Sequence, residues 1–326
     1  MDSMRVVSIR GGKGGADALG VTSAPRPVAE AGEILIAVRA AGINRPDLLQ
    51  RQGLYPPPIG ASTVLGLEVA GTVAAVGTGV SRWRQGDAVV ALLAGGGYAE
   101  YARVDARHVL PIPTGMDYVH AAALPENVFT VWANVFESGQ LTAGETVLIH
   151  GANSGIGVTA IQMAQASGAQ VLATVRDATK ARQVQAMGVR RAIDVSSEDW
   201  VAVVGQAGGA DVILDMVGSD YFQSNLTSLK LDGRLVVIAT LSGHRVELDL
   251  RALMLRRLTI SASTLRARSA DEKARLAAAV EAQVWPWVVA GKLQAIVNKT
   301  FPLEQAGAAH TWLESGANFG KVVLQL

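Results

Sequence analysis

A glycine-rich turn near the middle of the chain has the residue types that bind phosphate groups. The segment Val147–Gly157, VLIHGANSGIG, begins as a short apolar strand and turns tightly before a helix through Val158–Ser167. Small side chains let a ligand approach the backbone, and the unpaired N–H groups and the dipole at a helix N-terminus stabilise negative charge. The pattern predicts a site for the pyrophosphate of a dinucleotide.

The residues after this turn continue as strands that alternate with helices. Such alternation from about Leu124 onwards predicts a parallel sheet with right-handed crossovers. The predicted helices are Pro125–Ser138, Gly157–Ser167 and Ala178–Met187, and the predicted strands are Thr146–His150, Gln170–Thr174, Ala192–Asp194, Asp211–Met216, Arg234–Ala239 and Leu258–Ser263.

The first 120 residues have a different sequence pattern, in which Gly and Pro separate short β-like runs. Strand signals at such close spacing predict a partly open barrel. The predicted strands are Glu33–Ala40, Glu68–Val76, Ala88–Leu93, Tyr98–Val104 and Val109–Ile112. The run Gly11–Gly15 lacks the spacing of a phosphate loop and is predicted to be a hairpin turn.

The last part of the chain contains a helical pattern followed by a β-like pattern. Ser269–Ala290 predicts a long helix that Pro286 interrupts, and Lys292–Leu326 returns to a β-like pattern. Its predicted strands are Ala295–Phe301 and Gly320–Leu326.

The composition favours a soluble two-domain enzyme and excludes several kinds of chemistry. The 326 residues exceed what one core usually organises, and 49% of them are apolar. The chain has 29 basic and 28 acidic residues, so its net charge of +1 favours neither nucleic acid nor an anionic membrane. The lack of cysteine excludes disulfides, thiolate catalysis, Fe–S clusters and cysteine-based zinc sites. No signal-peptide core or membrane-length apolar run occurs, so we expect a cytoplasmic protein.

Short motifs along nearly the whole chain support a more specific interpretation. They are Asn44-Arg45-Pro46-Asp47-Leu48, Arg51–Tyr55, Gly66–Val73, Gly86-Asp87, Gly97–Tyr101, the Gly151–Gly157 turn, Asp232-Gly233-Arg234 and Asn318–Lys321. Together they resemble the medium-chain dehydrogenase/reductase superfamily, specifically its zinc-free, zeta-crystallin-like quinone oxidoreductases. The resemblance implies an α/β fold, with a Rossmann doubly wound parallel sheet and a GroES-like partly open β-barrel. It implies a catalytic domain over residues 1–124, a coenzyme domain over 125–264, and a return to the catalytic domain over 265–326.

Two positions in this resemblance argue against a zinc ion. Zinc-dependent alcohol dehydrogenases of the superfamily have Cys where Asn44 stands and His where Leu67 stands. An amide is a poor zinc ligand and a leucine is none, so a tetrahedral site cannot form from these residues. Without a Lewis acid to stabilise an alkoxide, we expect a substrate that accepts hydride readily, such as a quinone or an activated enone.

The residues after the second strand of the coenzyme domain bear on the choice of coenzyme. NAD preference needs a carboxylate at that strand end, where Val175 stands. Arg176 and Lys180 instead suit the 2′-phosphate of NADPH, which we predict as the coenzyme. Asp177 leaves two possibilities open, because it could cap the next helix or pair with a ribose hydroxyl and favour NADH.

The turn and the resemblance together give a predicted set of coenzyme-binding residues. They are Asn44, Thr130, Asn153, Ser154, Gly155, Ile156, Gly157, Arg176, Lys180, Leu241, Ser242, Gly243, Leu265, Arg266, Asn318 and Lys321. The Ser154 hydroxyl is expected to be able to donate to a phosphate.

The predicted reacting site contains few acid–base residues, since hydride transfer mainly requires proximity and the dinucleotide carries the chemistry. Asn44 is predicted to contact the nicotinamide ribose or the substrate carbonyl, and Tyr55 to donate to a quinone oxygen or stack on its ring. Asp47 is expected to fix the Asn44 loop, and Glu68 to have a structural role. The five histidines show no metal-binding spacing.

The sequence thus predicts an NADPH-dependent quinone oxidoreductase and leaves two alternatives. Reduction of an enone, an enal or an enoyl-thioester double bond also delivers hydride to a conjugated carbon. An RNA-binding or structural crystallin-like protein is the alternative from another class, and the near-zero net charge argues against it. The apolar segment Leu258–Ser263 is predicted to be an edge strand through which a homodimer forms.

Overall fold

A computed structural model describes residues 2–326, which form two compact units. The barrel unit contains the described residues up to Phe129 together with Arg266–Pro286 and Ala295–Leu326. The sheet unit contains Thr130–Leu265 and Trp287–Gln294. The chain therefore passes from the sheet unit into the barrel unit between Leu265 and Arg266.

The described residues form fifteen strands and eleven α-helices. The strands are β1 (Ser3–Ile9), β2 (Leu19–Pro25), β3 (Glu33–Ile43), β4 (Glu68–Val76), β5 (Ala88–Leu92), β6 (Tyr101–Asp105), β7 (Val109–Pro111), β8 (Thr146–Ile149), β9 (Gln170–Val175), β10 (Arg191–Asp194), β11 (Ala210–Asp215), β12 (Leu229–Val237), β13 (Thr259–Ala262), β14 (Val297–Pro302) and β15 (Lys321–Gln325). The helices are α1 (Arg45–Arg51), α2 (Tyr118–Ala121), α3 (Pro125–Val131), α4 (Gly155–Ala166), α5 (Ala178–Gln185), α6 (Trp200–Gln206), α7 (Ser219–Ser228), α8 (Leu250–Arg256), α9 (Ala270–Gln283), α10 (Trp285–Val289) and α11 (Ala306–Glu314). A π-helical segment, Trp132–Ser138, continues α3.

The barrel unit is built on a seven-stranded sheet. Its strands follow the order β14-β15-β3-β4-β5-β7, and β6 pairs with β3. Pairing is antiparallel except between β14 and β15, which are parallel. Strand β3 lies at the centre, and its inward side chains pack with Trp83, Tyr98 and Phe301 in one apolar core. The hairpin β1–β2 lies beside this sheet, and the Gly11–Gly15 run forms part of its connection.

The sheet unit is built on six parallel strands. Their order is β10-β9-β8-β11-β12-β13, and every adjacent pair is parallel. The order reverses between β8 and β11, and ligands of such doubly wound sheets bind where the carboxyl ends of the strands flank this reversal. The Gly151–Gly157 turn follows β8 directly, so it stands at the reversal.

The structure confirms the predicted fold class, with a doubly wound parallel sheet and a GroES-like partly open barrel. The predicted strand Leu258–Ser263 corresponds to β13, which lies at the edge of the parallel sheet. The predicted long helix Ser269–Ala290 is two helices, α9 and α10, because Pro286 has no N–H to continue the ladder.

Three predictions about element placement were incomplete. Helix α4 begins at Gly155 rather than Gly157, because the side chain of Ser154 caps it two residues earlier. The tail Lys292–Leu326, predicted as β-like, also contains α11. Residues 287–294 were assigned with 265–326 to the first domain, but the structure places them in the sheet unit, where Trp287 packs on Phe136 and Gln294 pairs with Gln162.

Candidate functional site

The turn after β8 has a backbone path that only small residues permit. Gly151 has a φ of 61°, and a Cβ on it would lie 2.7 Å from the sulfur of Met216. A Cβ on Gly157 would lie 2.6 Å from both the Cα and the carbonyl carbon of Ala152. Since side-chain atoms never approach a backbone that closely, the turn packs against the first turn of α4 only because residue 157 is glycine.

The first turn of α4 presents amide groups that the helix cannot use. Ser154 is the N-cap, and its Oγ accepts from the N–H of Gly157 at 3.0 Å. Gly155 and Ile156 are the first two residues of α4, so their N–H groups have no acceptor within the helix. Two such donors at the positive end of a 12-residue helix suit an anion. The hydroxyl of Ser154 donates only to the sulfur of Met216, at 3.8 Å.

A buried histidine, His150, stands between the end of β8 and the turn. His150 Nε2 donates to Asn225 Oδ1 at 2.7 Å, and its Nδ1 accepts from the Thr174 hydroxyl at 2.8 Å. Its ring meets Trp200 and Tyr221 edge-on. Burial lowers the pKa of His150 to about 4, so the ring is neutral at pH 7 and has a structural role.

The strand end at β9 shows which role Asp177 takes in this structure. Asp177 is the N-cap of α5, where its Oδ1 accepts from the N–H of Lys180 at 2.8 Å. Its Oδ2 forms an ion pair with Lys180 Nζ at 3.0 Å. These hydrogen bonds lower the pKa of Asp177. The ammonium of Lys180 is therefore already paired, and the exposed Arg176 is the other cation at this strand end.

In the barrel unit, Asp47 fixes the loop that carries Asn44. Its Oδ2 accepts from the N–H of Asn44 at 2.8 Å, and its Oδ1 accepts from the N–H of Gly66 at 2.9 Å. Asp47 is fully buried, and burial raises its pKa to about 6 although both backbone bonds act in the opposite direction. The expected role of Asp47 as a loop anchor agrees with these contacts.

The side chain of Asn44 lies in a buried ionic cluster. Its Nδ2 donates to Glu68 Oε1 at 2.9 Å, and its Oδ1 accepts from Lys321 Nζ. The same ammonium forms an ion pair with Glu68 Oε1, and the two side chains are only 4% and 0% exposed. Glu68 Oε2 accepts from the N–H of Glu126 at 2.9 Å. We call Asn44, Glu68 and Lys321 the amide cluster; its donors and acceptors fix the orientation of the amide.

A chain of hydrogen bonds connects the buried Tyr98 to Glu314 of the barrel unit. Arg51 donates to Nδ1 of His310, so His310 Nε2 carries the proton and donates to the hydroxyl of Tyr98 at 3.2 Å. Burial raises the pKa of the Tyr98 hydroxyl well above the usual value, and the charge of Asp47 acts in the same direction. Arg51 ends the chain in an ion pair with Glu314.

Arg266 positions the loop that carries Tyr55. Its Nε donates to Ala94 O at 2.8 Å, and its Nη2 donates to Gln50 Oε1 at 2.7 Å. The guanidinium carbon lies 5.5 Å from the centre of the Tyr55 ring. Lys273 Nζ donates to the carbonyl of Arg266 at 2.7 Å. The half-buried Tyr55 is thus part of an ordered loop.

The structure brings the predicted residues together in groups. Asn153–Gly157, Arg176 and Lys180 lie at the carboxyl ends of β8 and β9, and Ser242 and Gly243 follow β12. Ser242 Oγ donates to Val217 O at 2.9 Å. The other predicted coenzyme residues are the half-buried Thr130, the exposed Leu241, the buried Leu265 and the buried Asn318, whose Nδ2 donates to Gly320 O at 2.9 Å. Their roles in coenzyme binding stay predictions.

Glu126 and Lys273 are buried charged residues of the barrel unit that were not among the predicted site residues. Glu126 is 8% exposed, and burial together with the charge of Glu68 raises its pKa to about 8. A signal was available for it, because Glu126 is the one charged residue in the run Ala121–Trp132. Lys273 is 7% exposed in a helix of mixed polarity, where no pattern marks it.

Residues 2–326 contain neither a metal-binding cluster nor a membrane-spanning helix. No group of three or more His, Asp or Glu side chains there is arranged to hold a metal ion. No helix among the same residues is long and apolar enough to cross a membrane.

Comparison with known proteins places both units in one enzyme superfamily. Residues 30–114 match the alcohol dehydrogenase GroES-like domain, and residues 155–282 match the zinc-binding dehydrogenase domain. The quinone oxidoreductase of Lama guanicoe is 33% identical over 306 residues, which cover 92% of this chain and 91% of that protein.

Solved structures agree with this placement. The Escherichia coli quinone oxidoreductase complexed with NADPH has a TM-score of 0.87 at 28% identity, with 100% of both chains covered. The CurK enoyl reductase has a TM-score of 0.88 at 27% identity, with 99% of each chain covered.

Proposed function

The chain belongs to the quinone oxidoreductase family of the medium-chain dehydrogenase/reductase superfamily, and we propose that it reduces a quinone with NADPH and without zinc. It is an NAD(P)H-dependent oxidoreductase. The observation that carries the proposal is the glycine-rich turn where the strand order of the parallel sheet reverses. In the barrel unit, the ammonium of Lys321 already binds the oxygen atoms that a metal ion would need.

The turn fits the pyrophosphate of a dinucleotide. Gly155 and Ile156, whose N–H groups have no acceptor within α4, would donate to the phosphate oxygens, and the hydroxyl of Ser154 can turn from the weak sulfur acceptor to a stronger oxygen. The absence of a Cβ on Gly157 keeps these donors in place. When bound, the reduced nicotinamide supplies a hydride.

The amide cluster and the neighbouring Leu67 do not fit a zinc ion. Leu67 is an apolar side chain that is 1% exposed, and an alkyl group cannot ligate a metal. The oxygen atoms of Asn44 and Glu68 that could bind a cation already bind Lys321. The buried ammonium of Lys321 would repel a divalent cation placed beside it, so these residues do not form a catalytic metal site.

The barrel unit offers hydrogen bonds to a quinone oxygen. The amide of Asn44 retains one N–H beyond its bond to Glu68, and the adjacent ammonium of Lys321 makes that region electropositive. Tyr55 adds a phenol on a loop that Arg266 holds. Such donors stabilise the negative charge that develops on the oxygen when a hydride is accepted.

The proposed activity is tested by full-spectrum assays with 1,2-naphthoquinone. We expect NADPH oxidation and hydroquinone formation in equal amounts, with no loss of rate after treatment with a zinc chelator. Activity that disappears with the chelator and returns with zinc would overturn the zinc-free proposal. No quinone reduction at any coenzyme concentration would overturn the substrate class.

Reduction of a conjugated double bond is the second candidate, favoured by the fold shared with the CurK enoyl reductase. The same donors would polarise the carbonyl of an enone, so the charges of the site suit a quinone and an enone equally. A 2-alkenal used in place of the quinone discriminates them. A kcat/KM for the 2-alkenal at least ten times that for 1,2-naphthoquinone would favour this candidate.

The choice of NADPH depends on Arg176, because Asp177 already neutralises Lys180. A charge-assisted hydrogen bond from Arg176 to the 2′-phosphate is worth about 1.5–3 kcal/mol, or about 10- to 100-fold in affinity. Arg176→Ala should therefore raise the Kd of NADPH at least tenfold and change the Kd of NADH little. Arg182→Ala, on the exposed face of α5, is the control and should change neither. An unchanged ratio of the two Kd values in Arg176→Ala would remove Arg176 from the site.

We also propose a homodimer formed through the edge of the parallel sheet. Strand β13 has an unpaired edge, and α8 just before it exposes Leu250, Met254 and Leu255 at 63%, 75% and 69%. Such an apolar surface next to an open edge is typical of an association site. Light scattering should give a dimer for the wild type and a monomer for Met254→Asp, whereas Val28→Asp should remain dimeric. A monomeric wild type at micromolar concentration would exclude the proposal.

A further inference from the structure

We propose that Glu126 holds the proton that completes reduction of the acceptor, an inference that rests on the proposed reductase function. Hydride addition to a quinone leaves an anionic oxygen that must gain one proton. The amide cluster supplies hydrogen-bond donors, and its one ammonium, Lys321, is held by Asn44 and Glu68. Glu126 is buried, and its backbone N–H binds Glu68 of that cluster, so its carboxyl group is not used to orient the amide.

The position of Glu126 ties it to the reacting region of the barrel unit. It stands in the first turn of α3, and its own N–H donates to Glu68 Oε2 at 2.9 Å. Glu68 Oε1 in turn accepts from Asn44, at 2.9 Å. One carboxylate therefore connects the backbone of Glu126 with the amide predicted to contact substrate. With 8% of its surface exposed, Glu126 can still exchange protons with solvent.

The charges around Glu126 favour its neutral form. Glu68 on β4 and Asp47 on α1 repel a charge on Glu126, whereas Lys321 on β15 and Lys273 on α9 attract one. Both ammonium groups bind residues other than Glu126. Lys321 binds Asn44 and Glu68, and Lys273 donates to the main-chain carbonyl of Arg266. Burial is the largest effect, the charge of Glu68 is the next, and together they raise the pKa of Glu126 to about 8.

Arg266 is the remaining cation near Glu126. Its guanidinium is held by Ala94 O and Gln50 Oε1, so it is oriented by partners other than Glu126. A carboxyl group in this setting is protonated at neutral pH and acidic enough to give its proton to a hydroquinone anion.

The proposed step balances in atoms and electrons. The quinone receives two electrons and one hydrogen as hydride, and its second oxygen is left with a negative charge. The O–H bond of Glu126 breaks, and a new O–H bond forms on that oxygen to give the neutral hydroquinone. Glu126 is left as a carboxylate, and a proton from solvent restores it.

The first test needs no substrate and uses the infrared carbonyl band of protonated carboxyl groups. At pH 7.5 Asp47 and Asp215, whose pKa values are raised to about 6, are mostly ionised, so Glu126 should give the remaining band. The band should vanish as the pH passes about 8, and it should be absent from Glu126→Gln. The control Glu304→Gln, an exposed glutamate of the same unit, should keep it.

The second test is kinetic. Glu126→Gln should lower kcat/KM for 1,2-naphthoquinone by about 10²- to 10⁴-fold, the usual contribution of a positioned acid, and should remove the decline of kcat/KM above pH 8. Its NADPH affinity should stay close to that of wild type, and its thermal midpoint at pH 6 should not fall below that of wild type, because only the wild-type carboxyl group loses a proton on unfolding at this pH. Glu304→Gln should keep the rate and the pH profile.

The outcomes separate the role of Glu126 from the proposed function. A wild type that shows the infrared band but reduces no quinone would overturn the function. A quinone reductase whose band persists in Glu126→Gln, or whose rate and pH profile do not change in that variant, would overturn the role of Glu126. If the variant fails to fold, the wild-type protein labelled with ¹³C-glutamate decides the matter, because an unshifted band excludes glutamate as its source.

Discussion

Removal of Lys321 should destabilise the barrel unit far more than removal of a surface cation. The ammonium neutralises Glu68, and the two side chains are 4% and 0% exposed. Breaking a buried pair by deleting one partner costs about 3–5 kcal/mol, because the other charge stays buried without compensation. We therefore expect Lys321→Met to lose about 3–5 kcal/mol of unfolding free energy at pH 7.

A double-mutant cycle isolates the electrostatic part of this loss. Glu68→Gln alone should also destabilise, since it leaves the ammonium buried. The double variant contains no buried charge at either position, so it should lose at least about 2 kcal/mol less than the sum of the single losses. Urea unfolding followed by tryptophan fluorescence measures all three.

The control for Lys321→Met is a cation on the protein surface. Arg84→Met removes a cation whose side chain is 90% exposed, and it should leave the urea midpoint unchanged. Additive losses in the cycle would show that Lys321 and Glu68 do not compensate each other. That result would refute the buried ammonium as the reason why this site has no place for a metal.

Three further predictions concern the barrel unit. Tyr55→Phe should lower kcat/KM for 1,2-naphthoquinone by up to about tenfold, the value of one lost hydrogen bond, whereas the control Tyr118→Phe should have no effect in the same assay. Between pH 5 and 8, Glu126 keeps its proton in the folded state and loses it on unfolding, so this group makes the unfolding free energy fall as the pH rises. The unfolding free energy of Glu126→Gln relative to wild type, measured in urea, should therefore increase from pH 5 to pH 8, and a constant difference would contradict the raised pKa. Arg266→Gln should make the chain around Leu54 more sensitive to thermolysin, since the loop loses the guanidinium that holds it, and identical cleavage rates in Arg266→Gln and wild type would argue against that role.

The fold could be predicted from local patterns because its elements have strong ones. The apolar strand, small-residue turn and helix around Gly151–Gly157 identified the phosphate-binding unit, and the alternation after it identified the parallel sheet. Short helices such as α6 and α8 were missed, because seven residues are too few to show a clear helical period, and only the capping residues Asp199 and Asp249 mark where they begin.

The candidate site could be predicted only in part, because pairing between distant residues leaves no local pattern. Asn44 and Lys321 were selected separately, yet nothing in the sequence shows that 277 positions apart they share one hydrogen bond. The same holds for His310, which bonds to Tyr98 across 212 positions. Asp177 illustrates the opposite case, since its capping role follows from the helix start directly after it.

The most direct test of the proposed coenzyme site is a crystal structure of the protein grown with NADPH. We predict that the pyrophosphate accepts hydrogen bonds from the N–H groups of Gly155 and Ile156, beside the helix start that Ser154 caps. A dinucleotide bound elsewhere with this turn empty, or a divalent metal ion bound beside Asn44, would contradict that prediction.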